Sequence, residues 1–340
     1  MQEISTLQVR LMSALQQRSD LLSETHTGAF RLFNGFLEGC SDLVVEVFGE
    51  TLVLYDYSQM MDRQYFETLR DWYLAQLPWL RAVLWKRRYS PLDEERAGIL
   101  LYGDQMVQYV VEAGVRYALD LRMNQDASFY VDTRNLRIWL KETMRGKIVL
   151  NTFAYTGSLG VAAKAGGATR VVQTDLNRRF LNLAKTSYTF NGLPIAKQDF
   201  MTGDFFKITA LLKKADMLFD CLILDPPFFS STEAGRVNQV QESYRLIQKV
   251  RPLVAHQGWL VVVNNALFLS GADFWQILQN QCTDGYLQIE NIIPIPADVS
   301  GYVETVVSLP PTDPAPFNHS TKIAILRVNR KDRRLASAAT

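Results

Sequence analysis

The feature that most constrains the fold is an alternation of apolar strand-like runs and amphipathic segments that begins at Lys147. Five such runs are KIVLNTF, RVVQTD, AKQDF, DCLILD and GWLVVVNNA, and segments with helical spacing separate them. This alternation predicts a parallel sheet covered on both faces. Two later runs, LQIENIIPI and KIAILRV, are joined by a proline-rich loop without a crossover helix and should pair antiparallel. We therefore predict a doubly wound α/β domain with a seven-stranded sheet whose last two strands are antiparallel.

The preceding half of the chain has the pattern of a smaller α/β domain. Two β-rich runs flank Gly49-Glu50 as in a hairpin, and apolar residues recur at helical spacing from Met61 to Leu77 before a strand at 82–85. Residues 91–105 are charged and rich in turn formers, which favours a linker. A second hairpin follows, with Gly114 at its turn.

The predicted domain organisation has four parts, and the last is a polar, basic tail. We place a helical extension at 1–24, a small α/β domain at 25–104, the doubly wound domain with its opening hairpin at 105–331, and a disordered tail at 332–340.

Composition narrows the class of protein. The 340 residues are 48% hydrophobic, which permits a large core and suits two domains. No stretch approaches the roughly 18 apolar residues of a membrane span and the N-terminus does not resemble a signal peptide, so we expect a cytoplasmic protein without membrane contact. Lys and Arg number 36 against 35 Asp and Glu, and the three cysteines and three histidines are dispersed. The net charge is close to zero, so it gives no indication of a nucleic-acid partner. We expect neither a metal site nor a disulfide framework.

Acidic residues follow three of the predicted strands. The first strand runs into NTFAYTGSLG, a strand-to-helix turn that includes Gly157 but lacks a full glycine fingerprint. Asp175 ends the second strand, where a carboxylate can accept hydrogen bonds from ribose hydroxyls, and it can also cap a helix together with Asn177. Asp204 follows the third strand, where it can bind an adenine amino group while Phe205 packs on the ring, or cap a helix. The series favours a nucleoside site.

The most specific motif is LILDPPFFS at 222–230. Pro226 and Pro227 have no N–H and restrict the backbone, so carbonyls and the Asp225 carboxylate can face an amino group or ring N–H. Phe228 can stack on a planar group. A buried strand that ends in proline would explain the prolines but not the acid and the aromatic side chain together. We predict Asp225, Pro226, Pro227 and Phe228 as catalytic residues.

These segments together resemble a known family. NQDASFYVDTRNLRIWL at 124–140, the stretch 149–177, NGL at 191–193, GDFFK and LDPPFF are similar to bacterial large-subunit ribosomal RNA methyltransferases of the class I, S-adenosylmethionine (SAM)-dependent type, which include cytosine-C5 and guanine-N7 enzymes. The resemblance covers roughly residues 28–330. It implies SAM as cofactor and methyl transfer to a nucleobase of RNA, with a protein side chain or small metabolite as the alternative substrate.

The resemblance also implies a wider cofactor site. In the family, a Gln-x-x-x-Phe-Tyr-x-Asp-x-Arg-x-x-Arg segment lines this site, whereas Arg134 and Arg137 alone would indicate a solvated helix face. The full set of candidate cofactor residues is Gln125, Phe129, Tyr130, Asp132, Arg134, Arg137, Asn151, Phe153, Ala154, Tyr155, Gly157, Asp175, Leu176, Asp204, Phe205 and Asp225.

The chain departs from the family pattern in two places. About two dozen residues precede the shared region, and the PUA-type RNA-binding domain of the cytosine-C5 members has no counterpart among them. The last predicted strand has Leu326 where those members carry a cysteine proposed as nucleophile, and we expect Cys221 to be a buried core thiol. The absence of that cysteine disfavours cytosine-C5 chemistry, and the Asp-Pro-Pro-Phe turn favours a nitrogen acceptor.

Two further hypotheses concern the substrate. His319 lies in a loop, 313–322, that resembles the one closing over the target pocket in relatives, so it is a candidate substrate contact, although such a residue is more often simply exposed. Local phosphate contacts are a second hypothesis, with solvated surface as the alternative for each residue. The candidates are Lys86, Arg87, Arg88, Arg178, Arg179 and Arg236. The sequence leaves the oligomeric state open, with a homodimer as one option.

Overall fold

A computed structural model of the chain describes residues 4–58, 62–227, 229–232 and 235–336. The chain divides into two compact units, Met1–Asp132 with Pro296–Pro310 and Thr133–Ile295 with Pro311–Thr340. Single 3-10 turns occur at Ser19–Leu21, Val131–Thr133, Lys197–Asp199 and Arg251–Leu253. Within the described ranges, no helix is both long enough and apolar enough to cross a membrane.

The first unit contains a five-stranded sheet with the order β1-β2-β3-β4-β5 and a separate hairpin, β6-β7. Strands β3 and β4 are parallel, and the other neighbours are antiparallel. A short helix at Ala297–Ser300 belongs to this unit. Its other elements are α1 (Ile4–Gln17), β1 (Ala29–Asn34), α2 (Gly35–Glu38), β2 (Leu43–Phe48), β3 (Thr51–Asp56), α3 (Arg63–Gln76), β4 (Ala82–Arg87), α4 (Asp93–Ala97), β5 (Ile99–Tyr102), β6 (Tyr109–Glu112) and β7 (Val115–Ala118).

The hairpins around Gly49-Glu50 and Gly114 are confirmed, but the predicted linker at 91–105 is wrong. Its charged half forms α4, where Glu95 accepts a hydrogen bond of 2.7 Å from Arg87. Its apolar half, ILLY, becomes β5 and pairs antiparallel with β4. The turn-forming and charged residues lie at the ends of these short elements. Strand β5 forms because it can pair with the edge of β4.

Helix α1 is part of the first unit's core and does not project from it. Leu7, Leu11 and Ala14 are buried in one cluster with residues of the sheet and α3. Arg18, just beyond the helix, is fully buried, and its two terminal nitrogens each lie 3.0 Å from a carboxylate oxygen of Glu38. The segment expected to be a separate extension therefore completes the small domain.

The second unit is the doubly wound domain. Its sheet has the order β10-β9-β8-β11-β14-β16-β15, and a hairpin, β12-β13, follows β11. The elements are α5 (Arg134–Thr143), β8 (Ile148–Thr152), α6 (Ser158–Ala165), β9 (Arg170–Asp175), α7 (Arg178–Phe190), β10 (Phe200–Thr202), α8 (Phe205–Lys214), β11 (Phe219–Leu224), β12 (Phe229–Thr232), β13 (Gly235–Asn238), α9 (Gln239–Val250), β14 (Val254–Asn264), α10 (Gly271–Gln281), β15 (Leu287–Ile293) and β16 (Lys322–Val328).

The predicted fold class is confirmed. Strands β10, β9, β8, β11 and β14 are parallel, and β16 pairs antiparallel with both β14 and β15. The apolar residues of alternate strand positions join α8, α9 and α10 in one core cluster. Helices α6 and α7 contact β8 and β9 but contribute nothing to that cluster, so they cover the other face.

The compact units differ from the expected domain boundaries in two respects. The hairpin β6-β7, which we grouped with the doubly wound domain, lies in the first unit, where the Val111 N–H donates to the Thr27 carbonyl at 2.8 Å. In the tail expected to be disordered, Arg334 pairs with Asp216 at 2.6 Å, and its carbonyl accepts from the His256 N–H at 2.7 Å. Residues 337–340 lie outside the described residues.

Candidate functional site

The carboxyl ends of four parallel strands form one edge of the second unit's sheet. In the register of the sheet, Thr152 at the end of β8 lies beside Thr174 of β9 and Leu224 of β11. Ligands of doubly wound sheets bind beyond this edge, near the strand where the order reverses. The strand-end candidates that follow β8, β9, β10 and β11 are therefore brought together, as the sequence predicted.

The turn after β8 has an unusual backbone. Phe153 (φ 53°), Tyr155 (φ 51°) and Gly157 (φ 79°) all lie in the left-handed region, which non-glycine residues seldom adopt and which clusters at functional turns. At Gly157 a Cβ atom would lie 2.5 Å from the Ala184 Cβ, so the position also requires glycine for space. The Tyr155 N–H donates to Asp175 Oδ2 at 2.8 Å and fixes the turn against β9.

Asp175 connects two turns and keeps accepting capacity. Its Oδ1 accepts the Asn177 N–H at 2.8 Å and its Oδ2 accepts the Tyr155 N–H. A carboxylate offers about four lone-pair sites, so these two bonds leave others for a ligand. Burial raises the pKa of Asp175, against the opposing effect of the backbone donors. Asn177 itself caps α7, because its side chain accepts the Arg179 N–H at 2.9 Å.

Asp204 caps α8 with one oxygen and has the other available. Its Oδ1 accepts the N–H groups of Phe206 (3.0 Å) and Lys207 (3.1 Å). Its Oδ2 is buried and finds no hydrogen-bond partner among the described residues. A buried acceptor without a donor is costly and usually indicates a missing partner. Both sequence interpretations of Asp204, helix cap and ligand acceptor, are therefore compatible with its geometry.

The aromatic side chain exposed beside Asp204 is not the expected one. Phe205 is 6% exposed and belongs to the core, so it is poorly placed to pack on a ligand ring. Phe153 stacks on it with ring centroids 4.6 Å apart and is only partly buried. Leu176, beside Asp175, is 58% exposed and offers apolar surface. The sequence pattern could not separate Phe153 from Phe205, because burial decides between them.

A second unpartnered acceptor lies on β8. Asn151 is buried, and its Nδ2 donates weakly to Gln173 Oε1 at 3.3 Å. Its Oδ1 has no partner in the described part of the chain. Ala154, in the following turn, is also buried. The β8 end therefore presents a polar atom beneath a strained turn.

The Asp-Pro-Pro turn follows β11 directly. Asp225 is half-buried, Pro226 is buried and Pro227 is exposed. Phe228, the fourth predicted catalytic residue, lies outside the described residues. The acid is therefore placed at the edge next to the β8 turn, and the stacking hypothesis for Phe228 stays a prediction.

The segment assigned to the cofactor by resemblance is divided between the units. Gln125, Phe129, Tyr130 and Asp132 lie in the first unit, and Arg134 and Arg137 lie in the second. Phe129 is 3% exposed, whereas Tyr130 is 44% exposed and its hydroxyl lies 3.1 Å from Asp126 Oδ2. Arg137 is buried and donates to Thr133 Oγ1 at 2.8 Å, so the solvated-face interpretation is wrong for this residue.

Lys86 and Arg88 hold the loop that carries Gln125. The Lys86 ammonium donates to the carbonyls of Asn124 (2.8 Å) and Asp126 (3.0 Å), and Arg88 donates to the Gln125 carbonyl at 2.6 Å. Lys86 is fully buried, so neither phosphate contact nor solvated surface describes it. Its structural role was missed because the partners are backbone carbonyls with no sequence signature.

The cysteines and His319 can also be placed. Cys221 is fully buried, and burial raises the pKa of its thiol, as expected of a core residue. Leu326 is likewise buried in β16. His319 accepts the Thr321 N–H on Nδ1 at 3.0 Å, which gives it a role in the local turn and leaves substrate contact as a prediction. Throughout the described ranges, no three His, Cys, Asp or Glu side chains group to hold a metal ion.

A family model matches most of this chain. The family described as S-adenosylmethionine-dependent methyltransferase matches residues 55–285. The chain belongs to this family. The match includes β8 to β11 and the turns after them, so the residues at the sheet edge lie within the region that the methyltransferase family shares.

Individual proteins that match this chain are named as methyltransferases. YwbD of Bacillus subtilis, provisionally named a ribosomal RNA large subunit methyltransferase, is 28% identical over 76% of this chain and 66% of YwbD. Ribosomal RNA large subunit methyltransferase I of Aeromonas salmonicida is 30% identical over 66% of this chain and 58% of that protein. The matched part is thus less than two thirds of either relative. The crystal structure of SMU.776 complexed with SAH is 20% identical, covers 96% of this chain and 82% of its own, and has a TM-score of 0.81, which shows a shared fold.

The sheet edge chemically suits the cofactor of a methyltransferase. SAM has ribose hydroxyls and an adenine amino group as donors, and Asp175 retains lone pairs while Asp204 Oδ2 and Asn151 Oδ1 have no described partner. The turn that contains Gly157 packs closely against Ala184 and Gln173. The hydrogen-bond acceptors at this edge therefore fit the donor groups of SAM.

Proposed function

We propose that this chain transfers a methyl group from SAM to a nucleobase of RNA, with large-subunit ribosomal RNA as the substrate. The observation that carries the proposal is the edge of the sheet, where unpartnered buried acceptors and an Asp-Pro-Pro turn follow neighbouring strands. Membership of the methyltransferase family supports the reaction. The names of the relatives from Bacillus subtilis and Aeromonas salmonicida support RNA as the acceptor.

The cofactor would be held by the strand ends. When bound, SAM supplies an electrophilic methyl group on a sulfonium. Asp175 would accept hydrogen bonds from the ribose hydroxyls, and Asp204 Oδ2 would accept one from the adenine amino group. Phe153 and Leu176 would cover the ring, because both expose apolar surface near these acids. Positioning of this kind can provide much of the rate of an in-line displacement.

The acceptor would be oriented by the turn after β11. Asp225 would accept a hydrogen bond from an amino or ring N–H, which aims the nitrogen at the methyl group while the prolines present carbonyls and no competing N–H. Asp225 would then accept the proton that the methylated nitrogen loses and pass it to solvent. A paired base must first leave its stack, at a cost of a few kcal/mol.

A nitrogen acceptor fits the cysteines better than carbon 5 does. Methylation at pyrimidine carbon 5 would use a nucleophilic thiolate. Leu326 occupies the strand position where the cytosine-C5 members carry their cysteine, and Cys221 is fully buried. We therefore propose an exocyclic or ring nitrogen as the methylated atom.

Transfer of label tests the proposal. Purified protein is incubated with methyl-tritiated SAM and total RNA from a strain that lacks it, and the nucleosides are separated. We expect label in one nucleoside of large-subunit ribosomal RNA, and Asp225→Ala should lower the rate at least tenfold. Label in protein or small molecules but not in RNA would overturn the RNA substrate, and label as 5-methylcytidine would overturn the nitrogen acceptor.

A further inference from the structure

The two compact units carry opposite charge, although the whole chain is nearly neutral. The first unit contains 12 Lys and Arg against 21 Asp and Glu, a formal charge of −9. The second contains 24 against 14, a formal charge of +10. A polyanion is attracted to the basic unit and repelled by the acidic one. The charge that RNA requires is therefore concentrated in the doubly wound unit.

Within the second unit, cationic side chains of α9 approach an aromatic ring of α8. The Arg245 guanidinium carbon is 5.3 Å from the centre of the Phe206 ring, and the Lys249 ammonium is 5.9 Å from it. Arg245 and Lys249 are separated by one helical turn of α9. Lys213 follows Phe206 by seven residues, so the two side chains lie on the same face of α8, and the charge of Lys249 contributes to the lowered pKa of Lys213. We call Lys213, Arg245, Lys249 and Phe206 the α8–α9 basic face.

The cationic side chains of the α8–α9 basic face repel one another. Like charges four residues apart destabilise a helix by about 0.2–0.5 kcal/mol, and burial together with Lys249 lowers the pKa of Lys213. Neither Lys213 nor Lys249 pairs with a carboxylate among the described residues. Phe206 makes cation–π contacts with Arg245 and Lys249, and such a contact does not neutralise the charge of Lys249. Lys213 and Lys249 are therefore suited to bind a phosphate backbone.

We propose that the α8–α9 basic face binds the phosphate backbone of the RNA substrate, and that the acidic first unit does not share this role. The inference rests on the proposed function, because RNA is the partner there. Phosphate contacts fix the position of a nucleic acid without reading its sequence. Docking on this face would leave the sheet edge free for the base. It also replaces the earlier candidate Lys86, which is buried in the first unit.

The salt dependence of RNA binding tests this surface. The association constant of the full-length protein for a transcript of large-subunit ribosomal RNA is measured from 50 to 200 mM KCl. We compare wild type with Lys213→Gln/Lys249→Gln. Each lost phosphate contact reduces the magnitude of the slope of log K against log salt by about 0.7–0.9, so the loss of two contacts should reduce it by about 1.4 to 1.8 and should weaken binding at low salt.

The matched control removes two charges elsewhere in the same unit. Lys185 on α7 contacts the ring of Phe200, and Lys197 is exposed before β10. Lys185→Gln/Lys197→Gln should keep the wild-type slope. Equal slopes for all three proteins would overturn the α8–α9 basic face, as would wild-type protein whose RNA binding does not depend on salt.

SAM affinity separates this proposal from the proposed function. Lys213 lies nine residues after Asp204, about 13 Å along the helix axis, so Lys213→Gln/Lys249→Gln should bind SAM as wild type does. If wild type methylates RNA but the double variant keeps the wild-type salt slope, the α8–α9 basic face is contradicted and the proposed reaction stands. If binding at this face depends on salt but RNA is not labelled, the proposed reaction is contradicted and the face stands.

Discussion

Asp204 illustrates how one residue can serve both structure and ligand. Its Oδ1 caps α8, and its buried Oδ2 has no described partner. Asp204→Asn can keep the cap through its amide oxygen but places an NH₂ group where the adenine amino group would donate. An unmatched buried polar group costs about 1–3 kcal/mol. We expect SAM affinity to fall by that amount in calorimetric titration, with the melting temperature little changed.

A matched cap provides the control for Asp204. Asp62 caps α3 by accepting the Tyr65 N–H at 3.0 Å, and Asp62→Asn should leave SAM affinity unchanged. If Asp204→Asn also binds SAM like wild type, Asp204 is a cap and no more.

Lys86 should make stability depend on pH in a defined direction. Burial lowers the pKa of Lys86 to about 7, against an ordinary value of 10.5. Between these pH values the unfolded chain holds a proton that the folded chain has released, so this group makes folding more favourable as pH rises. We expect the free energy of unfolding of wild type to rise relative to Lys86→Met between pH 7 and 10, by at most about 1.4 kcal/mol per pH unit.

Urea denaturation at pH 6, 7.5 and 9 measures this difference. Lys197→Met, at an exposed position, should follow the wild-type curve. Parallel curves for wild type and Lys86→Met would contradict the effect of burial on the lysine.

At the scale of single residues, the sequence located the acids but not their burial. Asp175, Asp204 and Asp225 were found because each follows an apolar run that is recognisable as a strand. Lys86 was predicted to lie at the surface, and the sequence pattern without the resemblance would place Arg137 there too, since charged side chains are usually exposed. Phe205 was expected to pack on the adenine ring because it adjoins Asp204, whereas in the structure Phe205 is buried and Phe153 is the partly exposed ring.

Among the elements, α1 is followed by a buried ion pair that should contribute strongly to the stability of the first unit. Arg18 and Glu38 are both buried, and Arg18 also donates to the carbonyls of Arg31 (2.7 Å) and Asp298 (3.1 Å). Removing one partner of such a pair leaves a buried charge and costs about 3–5 kcal/mol. We expect Arg18→Met to lower the free energy of unfolding of the first unit by this amount in urea.

An exposed pair on α3 is the matched comparison. Arg63 and Glu67 lie 2.7 Å apart, with Arg63 62% exposed, and Arg63→Met should cost less than about 0.5 kcal/mol. Equal effects of the two substitutions would show that Arg18 does not hold α1 to the domain.

At the scale of elements, periodicity predicted what is long and local. The alternating strands and helices of the second unit follow from patterns that each element carries alone. The short strand β5 and the hairpin β12-β13 were missed, because four-residue strands depend on the neighbour that pairs with them. The return of residues 296–310 to the first unit was also missed, since a tertiary contact of this kind leaves no period in the sequence.

For the whole molecule, the overall net charge does not show how charge is divided between the two units. A net charge of +1 argued against a nucleic-acid partner, but it is the sum of −9 and +10 on two units whose boundary the sequence did not locate. The fold and the reaction class were predictable because the motifs follow strand ends in a fixed order. The surface that we propose for RNA depends on which side chains of α8 and α9 come together, and this is determined only in the folded chain.

The most direct test is made in cells. Nucleosides of large-subunit ribosomal RNA are compared by mass spectrometry between a parent strain, a strain without this protein, and that strain carrying either wild type or Asp225→Ala. We expect one N-methylated nucleoside to disappear on deletion, to return with wild type and to stay absent with Asp225→Ala. Identical nucleoside profiles in all four strains would contradict the proposal that this chain methylates ribosomal RNA.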